Sequence, residues 1–167
     1  MANISTALAG NRDAVSDLIA AAEGSGGAWT TPRAPGKWSP CQVVEHVALA
    51  LEESANVVSG APSKFPTFPT FLRPIVRGLF FKRVLKKSAF PRAKTNKAFD
   101  PASGPASPAA ARVRLETALA SFDQVCRARA VSGKQVESTI FGTVSVEDYA
   151  RFQELHTRHH CKQMPGA

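Results

Sequence analysis

Apolar residues recur at three- and four-residue steps in four long stretches of the chain, the spacing that lines them along one face of an α-helix. In the first stretch, about Ile4 to Glu23, that face is Ile4, Leu8, Val15, Leu18, Ile19 and Ala22. Gly24-Ser25-Gly26-Gly27 ends it, because residues without a Cβ are poor helix formers and good turn formers. The second opens on Ser39-Pro40-Cys41-Gln42, which supplies a capping serine, a proline at the first helical position and a glutamine able to reach back to the cap's amide. Val43, Val47, Ala50 and Leu51 follow on one face, and His46 lies on that same apolar face. Ser107-Pro108 starts a third helix in the same way, running to about Val131 and stopped by Ser132-Gly133. Its apolar side is Val113, Leu115, Leu119, Phe122, Val125 and Cys126. The last helix-like stretch begins around Phe141-Gly142-Thr143-Val144. The fourth helix proper starts after Ser145, with Asp148 completing a Ser-x-x-Asp variant of the capping box. Alternation at period two is confined to a few residues near Gln135 to Ile140.

Gly60 to Pro108 interrupts this regularity. It holds seven of the ten phenylalanines (Phe65, Phe68, Phe71, Phe80, Phe81, Phe90 and Phe99), and eleven of the twelve prolines fall between Thr31 and Pro108. A helical piece from about Thr70 to Lys87 is expected, weakened by Pro74 and Gly78. At about 100° per residue, Arg73, Arg77, Lys82, Arg83, Lys86 and Lys87 scatter around the helical wheel, so no basic face of the interfacial membrane kind emerges. The segment is expected to be a basic, aromatic lid or crossover packed on the main body, with Asp100 to Ala110 as a loop. Four long helices with one long crossover between the second and third predict an all-α four-helix bundle, a single domain over residues 1–167.

Composition narrows the function classes. Hydrophobic residues at 44% and charged residues at 20% exclude a disordered or fibrous chain. Nothing resembles a signal peptide or a membrane span, so a cytoplasmic protein is expected. Cys41, Cys126 and Cys161 are widely spaced and form no C-x-x-C pair, which suits reduced, buried thiols rather than a disulfide framework. The net charge of +8 is local: Ala55 to Phe99 carries ten Lys or Arg and no acidic residue, whereas the remainder holds 11 basic and 13 acidic residues. Such a patch steers small anions, and no nucleic-acid docking motif accompanies it. Lys82, Arg83, Lys86 and Lys87 are the candidate anion-attracting residues.

The candidate chemistry lies in the histidines. On the fourth helix Tyr149, Phe152, His156, His160 and Gln163 line one stripe, and His156 and His160 at i and i+4 are close enough to chelate one ion. His159 offers a competing i, i+3 arrangement with His156, but it points about 100° from His160, toward solvent or the site's edge. Alone on an apolar face, His46 reads as a satisfied core histidine; it becomes a third ligand if the fold brings it to the other two.

Two separated motifs then carry a resemblance. Trp38-Ser39-Pro40 followed by His46, and Phe141-Gly142 through Ser145 followed by His156-x-x-x-His160-x-x-Gln163, resemble the paired motifs of a bacterial branch of the DinB-like (YfiT-type) superfamily of metal-binding four-helix bundles. The resemblance covers most of the chain outside Gly60 to Pro108. It implies a metal triad of His46, His156 and His160, with Tyr149, Phe152, Gln163 and His159 in or around the pocket. Three neutral imidazoles leave a fourth position open, where a divalent ion lowers the pKa of bound water to about 7 or binds a thiolate. Zinc is expected first and nickel next. The resemblance thus implies a metal-dependent transferase or hydrolase acting on a small molecule, such as a thiol. The alternative is a non-catalytic metal- or ligand-binding bundle, working as a homodimer.

Overall fold

The computed structural model describes residues 3–91 and 95–165. Most of them are helical, joined by one small hairpin. Helix α1 spans Ile4–Glu23, capped by the Asn3 side chain, which accepts from the Ser5 amide at 2.9 Å. Its expected face is buried from Leu8 onward, with Ile4 partly so, and Asn11 joins it, donating from Nδ2 to the Ala7 carbonyl at 2.9 Å and to the Ala150 carbonyl at 2.8 Å. Helix α2 spans Pro40–Ser59. Ser39 and Gln42 close the capping box, and Gly60 ends the helix at a left-handed φ of 84° that favours a residue without a Cβ.

The expected helical piece of the crossover is present from Arg73 to Lys87, with one irregularity inside it. Helix α3 (Arg73–Val76) runs into a π turn (Arg77–Phe81) and then into α4 (Lys82–Lys87). A π turn closes i→i+5 hydrogen bonds and so holds an extra residue, which a uniform 100° step does not foresee. Phe81 and Val84 face inward and are fully buried. Arg92 and Lys94 of the basic run lie outside the described residues.

The expected loop from Asp100 runs on from a 3-10 turn at Lys97–Phe99. It presses Gly104 against α2 so closely that a Cβ there would sit 2.0 Å from the Cys41 carbonyl oxygen. Helix α5 spans Pro108–Ser132, capped by Ser107 and stopped at Gly133. Its buried face is Ala111, Leu115, Ala118, Phe122 and Cys126, at steps of four, three, four and four. Val113, assigned to the apolar side from sequence, is 64% exposed. It lies two residues from both Ala111 and Leu115, about 200° around the helix from each.

Strands β1 (Val136–Ser138) and β2 (Gly142–Val144) pair antiparallel, Val136 opposite Val144 and Ser138 opposite Gly142. The residues from Phe141 to Val144 therefore make a hairpin arm rather than the head of the last helix. Helix α6 spans Val146–Cys161, and the Ser145 hydroxyl accepts from the Asp148 amide at 3.1 Å. Helix α1 packs on α6 and α5, α2 packs on α5, and α2 meets α6 over a smaller area. Leu8, Leu18, Leu51, Phe81, Leu115 and Phe122 are among the fully buried side chains between these elements. Each such side chain stabilises the fold by about 1.5–3 kcal/mol relative to leaving it exposed.

Candidate metal centre

His46 comes from the middle of α2, and His156 and His160 come from the last two turns of α6. They converge although 110 residues separate the first two. His46 Nε2 lies 3.3 Å from His156 Nε2, and His160 Nε2 lies 3.1 Å from the same atom. The three ligand atoms all lie within 4.8 Å of one another. His46 and His160 are buried and His156 is partly so.

The other ring nitrogens decide what these atoms are. His46 Nδ1 is 2.8 Å from the Phe99 carbonyl oxygen, which can only accept, so this nitrogen carries the proton and Nε2 carries a lone pair. His160 Nδ1 is 3.0 Å from Gln163 Oε1 and donates to it, again leaving a lone pair on Nε2. The Gln163 amide then faces His159 Nε2 at 3.4 Å. An N–H on His156 Nε2 can point at only one of its two neighbours, so at least one pair of lone pairs faces across about 3 Å. A cation relieves that repulsion. Nitrogens about 2.0–2.1 Å from a tetrahedral ion stand roughly 3.3 Å apart, close to the 3.3 and 3.1 Å that separate His156 Nε2 from the other two.

Protonation is the other way to relieve the cluster, and the surroundings oppose it. Burial, then the neighbouring His160 and His46, holds His156 well below the usual imidazole range. Burial and His46 push His160 down to about 3, against the opposing hydrogen bond from Gln163. His46 is also lowered, mainly by burial, with the Phe99 carbonyl and Asp100 pulling the other way. All three rings are neutral donors near neutral pH, as metal ligands must be.

Aromatic residues enclose the cluster. The Trp38 ring lies 4.7 Å from that of His46 and 6.1 Å from that of His160, and its Nε1 donates to Asp100 Oδ1 at 3.0 Å. Phe90 lies 5.3 Å from His156 and 4.7 Å from Phe152, so Phe152 backs the wall one layer out. His159 sits at the edge, its ring 5.2 Å from that of His160 and 6.1 Å from that of Phe90. Tyr149 is a correction: it shares the stripe but lies seven residues, about 10 Å, along the axis from His156. It is buried in the core beside Ser54 and Gln153.

Lys82, Arg83, Lys86 and Lys87 are all exposed on α4. Of the four, Arg83 and Lys87 line a surface pocket of about 400 Å³ with Leu79, Phe80, Val84 and Phe90. Phe90 thus stands between that pocket and His156. Glu45 pairs with Arg114 and the buried Glu154 with Arg151 and Arg158, so neither carboxylate serves the cluster. Cys161 Sγ donates to the Ala14 carbonyl, turned away from its neighbour's ligand. Burial raises the Cys126 thiol to about 12 and the Cys161 thiol to about 11, which keeps both inert.

Sequence reasoning missed Phe90, the Phe99 carbonyl and Asp100. Asp100 did leave a signal, as the first acidic residue after the acid-free run from Ala55 to Phe99. No curated protein and no solved structure matches the chain at a significant level. Residues 11–166, the three histidines included, match the family described as Protein of unknown function (DUF1569), and the chain belongs to that family.

Proposed function

We propose that this chain is a single-domain, DinB-like four-helix bundle in which His46, His156 and His160 hold a divalent metal ion, zinc in the first instance and nickel next. On this reading it is a metal-dependent enzyme that acts on a small molecule by thiol transfer or hydrolysis. The carrying observation is that His156 Nε2 stands 3.3 Å from His46 Nε2 and 3.1 Å from His160 Nε2, while the Nδ1 atoms of His46 and His160 are committed to the Phe99 carbonyl and Gln163. That donor set, neutral and nitrogen-only, suits zinc or nickel better than a hard ion such as magnesium.

When bound, the ion supplies a Lewis acid that makes a water or thiol acidic near neutral pH. The chain's own residues do the rest. Gln163 and the Phe99 carbonyl fix the tautomer and tilt of two ligand rings, the task of outer-shell partners in metal sites. Trp38 and Phe90 cover the cluster and keep bulk water from it.

Elemental analysis of the purified protein tests the reading. Native protein is expected to carry about one metal ion per chain, and His160→Ala to carry almost none while keeping its helical content. His159→Ala is expected to retain the metal. Unchanged metal in His160→Ala overturns the triad, and equal loss from both variants overturns the choice between the two histidines. Thiol-transfer and hydrolysis screens on metal-loaded protein then separate an enzyme from a non-catalytic metal-binding bundle.

A further inference from the structure

Among the described residues, five large hydrophobic side chains are exposed, and three of them lie on one short segment: Phe71 at 75%, Ile75 at 53% and Leu79 at 72%. They recur every four residues from the turn before α3 into the π turn, forming a ridge about 12 Å long. The same outward side continues into α4 as Lys82, Arg83, Lys86 and Lys87, all exposed, while Phe81 and Val84 point into the core. Lys82 and Lys86 follow Leu79 at steps of three and four, while the buried Phe81 and Val84 mark the opposite side of the segment. Arg73 and Arg77 are withdrawn from that face: Arg73 donates to the Phe68 carbonyl at 2.8 Å and Arg77 to the Thr143 carbonyl at 2.6 Å. The exposed charge is therefore gathered at one end and the exposed apolar surface at the other.

We propose that this outward face of α3 and α4 docks the protein on an anionic lipid bilayer. Separate apolar side chains that project from a ridge suit insertion among lipid headgroups, where long cationic side chains beside them keep their charges at the phosphate level. Charge complementarity selects an anionic surface, since no acidic residue lies between Ala55 and Phe99 to oppose it. The same complementarity argues against a second copy of the chain as occupant, which would bring four cations against four cations. Among the described residues no helix is long and apolar enough to cross a membrane, and the attachment proposed is peripheral. The proposal stands apart from the metal reading, since none of these residues touches the histidines.

The test is sedimentation of the full-length protein with vesicles of phosphatidylcholine alone and of phosphatidylcholine containing about one quarter phosphatidylserine. Binding is expected only to the anionic vesicles and to weaken as salt rises. Each of Lys82→Gln, Arg83→Gln, Lys86→Gln and Lys87→Gln is expected to lower the partition coefficient about fivefold. Phe71→Ser combined with Leu79→Ser is expected to abolish retention at moderate salt. In Phe71→Trp, which leaves every charge in place, tryptophan emission is expected to shift to the blue on anionic vesicles only. No sedimentation with anionic vesicles, equal sedimentation of the fourfold glutamine variant, or an unshifted Phe71→Trp spectrum overturns the proposal. Binding to an acidic protein surface without vesicle binding overturns it as well.

Discussion

Replacing Gln163 by Leu removes one hydrogen bond and leaves all three proposed ligands in place. Gln163 Oε1 accepts from His160 Nδ1 at 3.0 Å, and this contact assigns the lone pair to His160 Nε2. Without it the ring is free to swap tautomer or turn, and either change removes a correctly aimed donor. Losing such an outer-shell partner weakens metal binding about 10–100-fold. Metal that binds only the folded chain stabilises it by about 2.7 kcal/mol at a hundredfold excess over Kd. At that same concentration the weakened variant gains only about 1.4 to 0.4 kcal/mol, a shortfall of about 1.3–2.3 kcal/mol. For a chain of this size that is roughly 3–9 °C of metal-induced rise in Tm. The assay is thermal unfolding of each protein with and without zinc, so that any effect of Gln163→Leu on the metal-free fold cancels. Gln163→Glu, which keeps the acceptor, is expected to restore the rise. A Gln163→Leu protein whose zinc-induced rise equals that of wild type within about 1 °C refutes the argument that Gln163 sets the His160 ring.

Acid is expected to destabilise the metal-free protein selectively. The folded-state imidazole pKa values lie below the unfolded value of 6.5, with His160 at about 3, so the unfolded chain binds more protons as the pH falls. Stability is full above pH 6.5 and is lost on descending toward pH 3, by up to about 1.4 kcal/mol per pH unit for each imidazole. Urea unfolding at a series of pH values reads this slope, and His160→Gln is expected to flatten it; an unchanged slope contradicts the burial of neutral rings. Gly104→Ala drives a methyl into the Cys41 carbonyl and is expected to cost about 1–3 kcal/mol by denaturant unfolding. An Ala variant as stable as wild type would show that the loop after Phe99 does not press on α2.

Both successes and failures of sequence reading here trace to periodicity. The Ser39-Pro40-x-Gln42 box, the glycine stops and the faces of α1 and α2 depend on local spacing, and local spacing is what a sequence displays. His156 and His160 were legible for the same reason, being one turn apart on a capped helix. The helical piece of the crossover was legible, but the π turn between Arg77 and Phe81 was not, because nothing in the residues announces one. Val113 was misplaced because the buried face of α5 runs through the small Ala111 and Ala118 as well as Leu115 and Phe122, and a residue two positions from both Ala111 and Leu115 falls on the other side. Strand β2 was hidden because three residues carry too little alternation to register, although Ser138 opposite Gly142 fixes their pairing. Trp38, Phe90 and the Phe99 carbonyl reach the histidines from loops, where position follows tertiary packing rather than any period.

The three histidines also have a mechanical meaning. Helices α1 and α6 pack closely, as do α2 and α5; the two pairs meet through α1 on α5 and, over a smaller area, through α2 on α6, where His46 faces His156 and His160. The cluster therefore bridges the smaller of these two contacts between the helix pairs. A slip by one residue's rise, about 1.5 Å, is nearly half the separation between the facing nitrogens. An ion seated there acts as a pin through two plates, and its affinity becomes a gauge of their alignment. Any perturbation that shifts the register of the two pairs, however far from the histidines, should be readable as a change in how tightly the metal is held.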